Sequence, residues 1–228
     1  MRVTLLGSCR QRPVQTYFDT TTIQEELTYP HYTKEVIQAI KLCVDWKQFP
    51  QPLTRYLFRK GLMTRRPLSA AQCVALQQEF RTTDCFVIEI ASRLCYEYLG
   101  YYAHHIAHDD TGYRIPQANS INKRELTDEE IRQDLLTIRQ LLHPKAILVV
   151  PHIYTRAQGK RYELVKLLER LCSELHLPYL DISRELDMAG HAANVVYQDE
   201  AVLAHFTPAG ERAAAEIYRT KLSKLVER

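Results

Sequence analysis

The chain has 228 residues, of which 46% are apolar and 25% are charged. This length suits one α/β domain over residues 1–228, and the composition is typical of a globular protein that buries a core. The net charge of +3 is too small to favour a nucleic acid or a membrane surface as partner, and no apolar run approaches the ~18 residues that a membrane span needs.

The spacing of the cysteines and the length of the N-terminal apolar run indicate in which cellular compartment the protein is expected. The six cysteines, at positions 9, 43, 73, 85, 95 and 172, include no Cys-x-x-Cys pair. This spacing argues against a zinc ribbon or a thioredoxin motif, and scattered thiols suit a reducing environment. The N-terminal apolar run is too short for a signal peptide. We therefore expect a cytoplasmic protein.

The first half of the chain contains two predicted strands, at residues 3–6 (VTLL) and 85–91 (CFVIEIA). Both are short and mostly apolar, as expected of strands that helices cover on both faces. Between them, residues 34–42 have the apolar spacing of a helix, and Thr33 is a possible cap for it.

The second half alternates helices and strands. A helix over residues 126–143 opens with a capping box from Thr127 to Glu130, and residues 160–175 repeat its apolar spacing. Strands are predicted at residues 146–151 (AILVVP) and 178–182 (PYLDI). A last helix begins at Thr207-Pro208, where threonine caps the helix and proline takes its first position.

This alternation predicts a three-layer α/β/α sandwich with a mostly parallel central sheet. The regions around 45–67 and 96–122 are predicted insertions at the edge of that sheet. The chain has seven glycines and no Gly-rich phosphate loop, so no dinucleotide site is predicted.

Polar side chains follow three of the predicted strands. Ser8 follows the first, Glu89, Ser92 and Arg93 close the second, and His152 follows the third. Because ligands of open α/β sheets bind beyond the carboxyl ends of the strands, these residues are candidates for a site.

Gly7-Ser8-Cys9 offers two side chains that can act as nucleophiles. A turn from a strand into a helix places an oxygen or sulfur near backbone N–H groups, which stabilise negative charge there. A Cys9 thiolate in this setting is a variant of the same idea. The alternative is that Ser8 only caps the structure that follows.

His205 is the candidate general base for such a serine. A serine hydroxyl barely ionises at neutral pH and needs an adjacent base. His205 precedes the last predicted helix, and Asp199 lies shortly upstream as a candidate orienting group. The alternative is a histidine in a surface loop.

Together, the strand-GSC opening and the HFTPAG segment resemble the SGNH/GDSL hydrolase superfamily. The resemblance implies a flavodoxin-like α/β/α sandwich in which Ser8 is the nucleophile and its N–H forms part of the oxyanion hole. It further implies that His205 is the general base and that Gly210 closes the late block.

Two positions depart from the family's pattern. Val202 stands where the family has its acidic residue, so Asp199, Glu200 or a backbone carbonyl would orient His205. The Gly-x-Asn block is replaced by Ala-Ser-Arg ending at Arg93. Arg93 would supply positive charge to the oxyanion or bind an anionic substrate, or it would simply pair with Glu89.

Three further stretches, GSCR, YPHYTKE and EIASRLCYEY, resemble a narrower set of uncharacterised proteins. SGNH-like relatives of capsule polysaccharide synthesis are thought to transfer acetyl groups from coenzyme A. This resemblance places His31, Thr33 and Lys34 at the rim of the pocket. The alternative for Thr33 is the helix cap described above.

A rival constellation lies in His104-His105-Ile-Ala-His108-Asp109-Asp110. Histidines at i and i+4 on one helix face would bind zinc, which would make the protein a metal-dependent hydrolase. Gly100 and Gly112 flank the stretch and favour a loop instead, in which that spacing does not converge. We therefore predict no metal ligands here.

The favoured interpretation is a serine esterase or O-acyltransferase that acts on an acylated small molecule or glycan, with no resident cofactor and with coenzyme A as donor in a transferase. The substrate contacts expected besides the catalytic groups are Gly7, Cys9, Arg10, His31, Thr33, Ser92, Arg93 and His152. Arg10, Arg93 and nearby tyrosines point to an anionic or sugar-like ligand. The alternative is a carbohydrate- or nucleotide-binding protein on the same scaffold without catalysis.

Overall fold

The computed structural model describes residues 1–27, 29–155, 157–191, 196–198 and 204–226. Its strands are β1 (Arg2–Leu6), β2 (Asp19–Thr20), β3 (Cys85–Ile90), β4 (Leu94–Tyr98), β5 (Tyr101–Tyr102), β6 (Asn122–Glu125), β7 (Ala146–Pro151), β8 (Val196–Gln198) and β9 (Ala204–Phe206). Its α-helices are α1 (Ile23–Leu27), α2 (Thr33–Val44), α3 (Thr54–Leu57), α4 (Arg59–Thr64), α5 (Ala70–Thr82), α6 (Ile106–Asp109), α7 (Asp128–Leu142), α8 (Gly159–Glu174), α9 (Ile182–Met188) and α10 (Pro208–Val226).

The central sheet has the order β2-β1-β3-β7, and all of its strand pairs are parallel. Its central strands were readable in the sequence because a strand covered on both faces needs apolar side chains on both. Every residue of β3 is buried, Glu89 included. The predicted mostly parallel α/β sheet is therefore confirmed.

Helices cover both faces of this sheet. On one face, α2, α5, α7 and α8 pack against side chains such as Phe86 and Ile88. On the other face, α9 and α10 pack against Val3, Leu5 and Val87. The alternation of neighbouring residues between the two cores follows the two-residue repeat of a strand and produces three layers.

The predicted strand at 178–182 is wrong in part. Tyr179 forms only an isolated parallel bridge with Val149. The chain then turns into α9 because the Asp181 carboxylate accepts a hydrogen bond from the Arg184 N–H at 3.1 Å and caps that helix. A capping aspartate therefore ends the strand that its apolar neighbours suggested.

The two predicted insertions are folded differently. Residues 45–67 hold short 3-10 turns together with α3 and α4. The region around 96–122 lies within a small antiparallel sheet of order β5-β4-β6, which also carries α6. No helix among the described residues is both long enough and apolar enough to cross a bilayer.

Candidate functional site

A cavity of about 890 Å³ opens where β1, β3 and β7 end. Its lining includes Ser8, Cys9, Arg10, Arg12, Tyr29, His31, Tyr32, Arg59, Ala91, Ser92, Leu94, Tyr96, His104, His105, Ile106, Asp109, Asp110, His152, Arg161, His205, Phe206 and Glu211. This is the edge at which ligands of open α/β sheets bind. Most of the polar residues predicted from the strand ends therefore face one space.

Ser8 is buried directly after β1, with 4% of its surface exposed. Its Oγ accepts a hydrogen bond from the Arg10 N–H at 3.3 Å and caps the 3-10 helix Cys9–Thr16. The backbone N–H of Ser8 donates to Glu89 Oε2 at 2.6 Å. Because that N–H already donates to a carboxylate, it is not available to an oxyanion, and the expectation that it forms part of an oxyanion hole disagrees with the structure.

Glu89 and His152 form a buried pair beneath Ser8. His152 Nδ1 shares a hydrogen bond with Glu89 Oε1, and the two residues are 5% and 2% exposed, respectively. Burial alone would raise the pKa of Glu89, but His152 and hydrogen bonds from Ser8 hold it well below its usual range. Burial lowers the pKa of His152, although Glu89 opposes that shift. The expected pairing of Glu89 with Arg93 is wrong.

Gly7 makes the approach between Ser8 and Glu89 sterically possible. A Cβ at position 7 would lie 2.4 Å from Glu89 Cβ and 2.8 Å from Glu89 Oε2. Real side chains do not tolerate such contacts, so only glycine fits between the two strand ends. Gly7 therefore shapes the site, although the cavity lining does not include it.

His205 lies in β9, which pairs antiparallel with β8, and its side chain lines the cavity. Its Nε2 is 3.1 Å from a guanidinium nitrogen of Arg10. Because a guanidinium only donates, His205 Nε2 is the acceptor and carries no proton in this contact. Asp199, Glu200 and Val202 lie outside the described residues. The Gly210 N–H donates to Thr207 Oγ1 at 3.1 Å, as expected of the predicted cap.

Three of the predicted contact residues do not line the cavity and are bound elsewhere. The Arg93 guanidinium donates to the Leu126 carbonyl and to Asp128. Thr33 is fully buried, and both Thr33 and Lys34 bind Asp134 on α7. The Thr33 hydroxyl also does not cap α2, for which Tyr32 is the flanking residue. These side chains link the helical layer to its neighbours instead.

His31 and Ser92 do line the cavity, and they are joined through the backbone. The His31 carbonyl accepts hydrogen bonds from the N–H groups of Ala91 and Ser92 at 2.8 and 3.0 Å. Ser92 Oγ accepts from the Leu94 N–H at 2.9 Å. The segment before α2 is thereby fixed to the carboxyl end of β3.

The histidine-rich segment does not form the i, i+4 arrangement of the rival constellation. His104 and His105 converge with His31, whereas His108 binds Asp109. The helix α6 spans only Ile106–Asp109, so it does not include His104. Spacing along one helix therefore does not bring these rings together, as the flanking glycines suggested.

The cavity also contains arginines that sequence reasoning missed. Arg161 is half-buried in the first turn of α8 and has no ion-pair partner in the part of the chain that the structure describes. Burial and the nearby Arg10 lower its pKa. Arg59 lies over the Tyr29 ring at 4.9 Å. The signal for Arg161 was its place just after β7, where a helix begins at the same edge of the sheet.

A comparison with protein families finds a match that covers part of the chain. Residues 1–109 match the family model of the TviD N-terminal domain. That range contains Ser8, His31, Glu89 and the histidines of the 104–108 segment, and it ends before His152 and His205. No match is found among curated proteins.

One solved structure with a related outline is described as LAE5, an alpha/beta hydrolase enzyme from the metagenome of Lake Arreo, Spain. The alignment covers 98% of this chain and 95% of that one, with 11% identity and a TM-score of 0.43. A likeness at this level says nothing about chemistry, which rests on the cavity itself.

Proposed function

We propose that the protein is an SGNH-like serine esterase or O-acyltransferase that acts on an acylated small molecule or glycan. The observation that supports this is the meeting of Ser8 and His205 at one cavity, although 197 positions separate them in the sequence. Both touch Arg10, whose N–H binds Ser8 Oγ and whose guanidinium binds His205 Nε2.

In the proposed reaction, Ser8 Oγ attacks the acyl carbonyl carbon and its proton passes to His205 Nε2. Collapse of the tetrahedral intermediate breaks the bond to the leaving alcohol or thiol, which takes the proton from His205. Water then receives the acyl group from Ser8 in an esterase, and an alcohol receives it in a transferase. His205 returns the proton of the incoming group to Ser8 in each case.

The Arg10 contact bears on the first step of this reaction. His205 Nε2 already presents its lone pair, but it presents it to Arg10. An anionic group of the substrate that binds Arg10 would compete for that guanidinium and release His205 towards Ser8. Substrate binding and base activation are coupled in this proposal.

The charge of the cavity supports an anionic substrate. Arg10, Arg12, Arg59 and Arg161 line it, against three acidic residues, Asp109, Asp110 and Glu211. Arg161 and Arg10 repel each other in a half-buried setting, and the Glu89 carboxylate offsets this repulsion only in part, so an anion bound beside them would be favoured. Guanidinium groups bind carboxylates and phosphates in a bidentate manner. We therefore propose a carboxylate- or phosphate-bearing ligand, and the phosphates of coenzyme A satisfy this description.

A binding protein without turnover is the second candidate. The observation that favours it is the position of Ser8 Oγ as the cap of the 3-10 helix, since a capping hydroxyl needs no other role. Ligand-induced stabilisation with sugars, nucleotides or coenzyme A, but with no turnover of any ester, would support this candidate.

Labelling with a fluorophosphonate probe tests the proposal. We expect the wild-type protein to be labelled and S8A not to be. S69A is the matched control, because Ser69 caps α5 in the same manner but lies outside the cavity. C9A should keep its label if the hydroxyl is the nucleophile. Label that persists in S8A, or that never forms on the folded wild-type protein, would overturn the proposal.

A further inference from the structure

Three imidazoles meet in one wall of the cavity. The ring centroids of His31 and His104 lie 4.9 Å apart, and His105 lies 4.5 Å from each of them. One nitrogen from each ring lies within 4.8 Å of the other two. Two of the rings are adjacent in the sequence, and the third comes from a segment more than seventy positions earlier.

The surrounding backbone holds this cluster in place. The His31 carbonyl is fixed by the N–H groups of Ala91 and Ser92, and the His31 N–H donates to Glu35 at 2.8 Å. His104 Nδ1 lies 3.3 Å from the Ile106 N–H, which is a long hydrogen bond. The cluster is thus anchored independently of Ser8 and His205.

His104 has a poorly satisfied polar atom. The residue is 1% exposed, and its Nε2 makes no hydrogen bond of normal geometry within the described ranges, although the backbone carbonyl of Tyr29 lies close to the ring. Buried polar atoms in native proteins are nearly always well paired, so this nitrogen is available to a further partner. An atom that accepts a lone pair would satisfy both this nitrogen and the two rings beside it.

We infer that His31, His104 and His105 bind one divalent transition-metal ion of the zinc type. Imidazole nitrogen is a preferred ligand of such ions, and three protein ligands leave a fourth position for water or substrate. All three residues line the cavity, so that position faces the same space as Ser8. This site uses His31 in place of His108, and so differs from the zinc site considered from the sequence.

The distances require only a modest adjustment. In a tetrahedral site with zinc–nitrogen bonds of about 2.0–2.1 Å, the ligand nitrogens lie about 3.4 Å apart. The three nitrogens here lie within 4.8 Å of one another, so rotation of the rings brings them closer. If His104 binds through Nε2, its proton moves to Nδ1 and the long contact with the Ile106 N–H is given up.

The charges around the cluster are mixed. Burial lowers the pKa of all three histidines, that of His31 to about 3. Arg59 and Lys123 disfavour a cation near His105, and Arg10 disfavours one near His31. Asp109 and Asp110 near His105, and Glu89 near His31, favour a cation.

Metal titration tests the inference without any enzymatic assay. An untagged full-length chain is stripped with a chelator and titrated with Co²⁺, whose visible absorption reports nitrogen ligation in a distorted site. Zn²⁺ should then displace the Co²⁺. We expect one equivalent to bind to the wild type and to S8A, because the cluster does not use Ser8.

Variants locate the ion. H31A and H105A should weaken binding by at least about tenfold, whereas H108A is the matched control from the same segment and should bind like the wild type. H105Q replaces H105A if the latter is not folded by circular dichroism. The inference is overturned if the folded wild type binds no stoichiometric Co²⁺ or Zn²⁺, or if H31A and H105Q bind as tightly as it does.

Metal binding and the serine mechanism can fail separately. If the protein binds the ion but is never labelled by fluorophosphonate, the metal site is supported and the serine mechanism is overturned. If it is labelled at Ser8 but binds no ion, the serine mechanism is supported and the metal site is overturned.

Discussion

Glu89 shares one carboxylate oxygen with the His152 imidazole and the other with the backbone N–H of Ser8. The candidate nucleophile is thereby held by a buried charge from the adjacent strand. We expect E89Q to lose this arrangement, because its amide nitrogen would face the Ser8 N–H as a second donor, or would force His152 into the tautomer that accepts at Nδ1. A buried donor without an acceptor costs about 1–3 kcal/mol.

Urea unfolding should therefore show E89Q destabilised by about 2 kcal/mol, together with a fall in the rate of Ser8 labelling. E174Q is the matched control, because Glu174 is exposed in the last turn of α8, and it should stay within about 0.5 kcal/mol of the wild type. Equal stability of E89Q and E174Q would contradict the role given to this carboxylate.

The identity of the general base can be decided between two histidines. Both His205 and His152 line the cavity, but His152 Nδ1 is bound to Glu89 and His205 Nε2 presents a lone pair. We expect H205A to slow acyl transfer and fluorophosphonate labelling by about 10²–10⁴-fold without a large loss of stability. H152A should instead destabilise the protein, since it leaves Glu89 unpaired.

Labelling rates and urea midpoints measured on both variants separate these effects. If H152A stays fully folded and loses its labelling while H205A keeps it, then His152 is the base and the proposed mechanism changes.

Gly7 is predicted to be irreplaceable. An alanine Cβ there would lie 2.4 Å from Glu89 Cβ, and two strand ends in one sheet do not separate easily. We expect G7A to cost about 3 kcal/mol and to abolish labelling of Ser8. G112A meets its nearest atom at 3.3 Å and should be far milder. Thermal unfolding of both variants is the measurement, and a G7A protein as stable as G112A would contradict the steric argument.

Arg161 should increase the affinity of the cavity for anionic ligands over neutral ones. It is half-buried, and no ion-pair partner for it lies within the described ranges. R161Q should weaken the binding of carboxylate- or phosphate-bearing ligands by about tenfold and affect neutral esters much less. R212Q, an exposed change on α10, should leave both unchanged. Isothermal titration with a neutral and an anionic ligand pair makes the comparison, and equal losses for both would argue against charge recognition.

Several of these relationships could not be read from the sequence. The apolar runs identified β1, β3 and β7 because strands buried on both faces need apolar side chains throughout. Because the carboxyl ends of parallel strands lie at the same edge of a sheet, the sequence also predicted that Ser8 and His152 lie near each other at that edge. The partner of Glu89 did not follow, because Arg93 is close in sequence whereas His152 is 63 positions away and becomes a neighbour only through the β3–β7 register.

The histidines at residues 104–108 also have a contact that is distant in the sequence and could not be predicted from it. Spacing within residues 104–108 offered a pairing along one helix, the flanking glycines argued against it, and α6 is too short to include His104. His31 reaches the cluster because its carbonyl is tied to the end of β3, and no local pattern encodes that contact. Likewise, Thr33 has the residue type of a cap but binds Asp134 across the layer.

Glu35 provides a pH dependence with a defined sign. Burial raises its pKa well above the ordinary 4.5, although the hydrogen bond from the His31 N–H opposes this. The folded protein therefore keeps a proton that the unfolded chain releases above about pH 4.5. The unfolded state binds fewer protons in that range, so this group lowers the stability as the pH rises.

E35Q removes the titration and keeps an acceptor for His31. We expect its stability relative to the wild type to improve between pH 5 and pH 8, by up to ~1.4 kcal/mol for each pH unit below the folded-state pKa. Urea unfolding at both pH values measures the difference, with E174Q as the control. A difference that does not change with pH would show that Glu35 ionises normally in the folded state.

The separation of Ser8 from His205 along the chain has a consequence for biosynthesis. A nascent polypeptide that has left the ribosome only as far as β7 already possesses its hydroxyl and its carboxylate anchor, yet it lacks the imidazole that would deprotonate that hydroxyl. Under the proposed mechanism, such an intermediate would be chemically silent until β9 brings His205 to the cavity. The order of translation would then keep an incomplete chain from acylating itself.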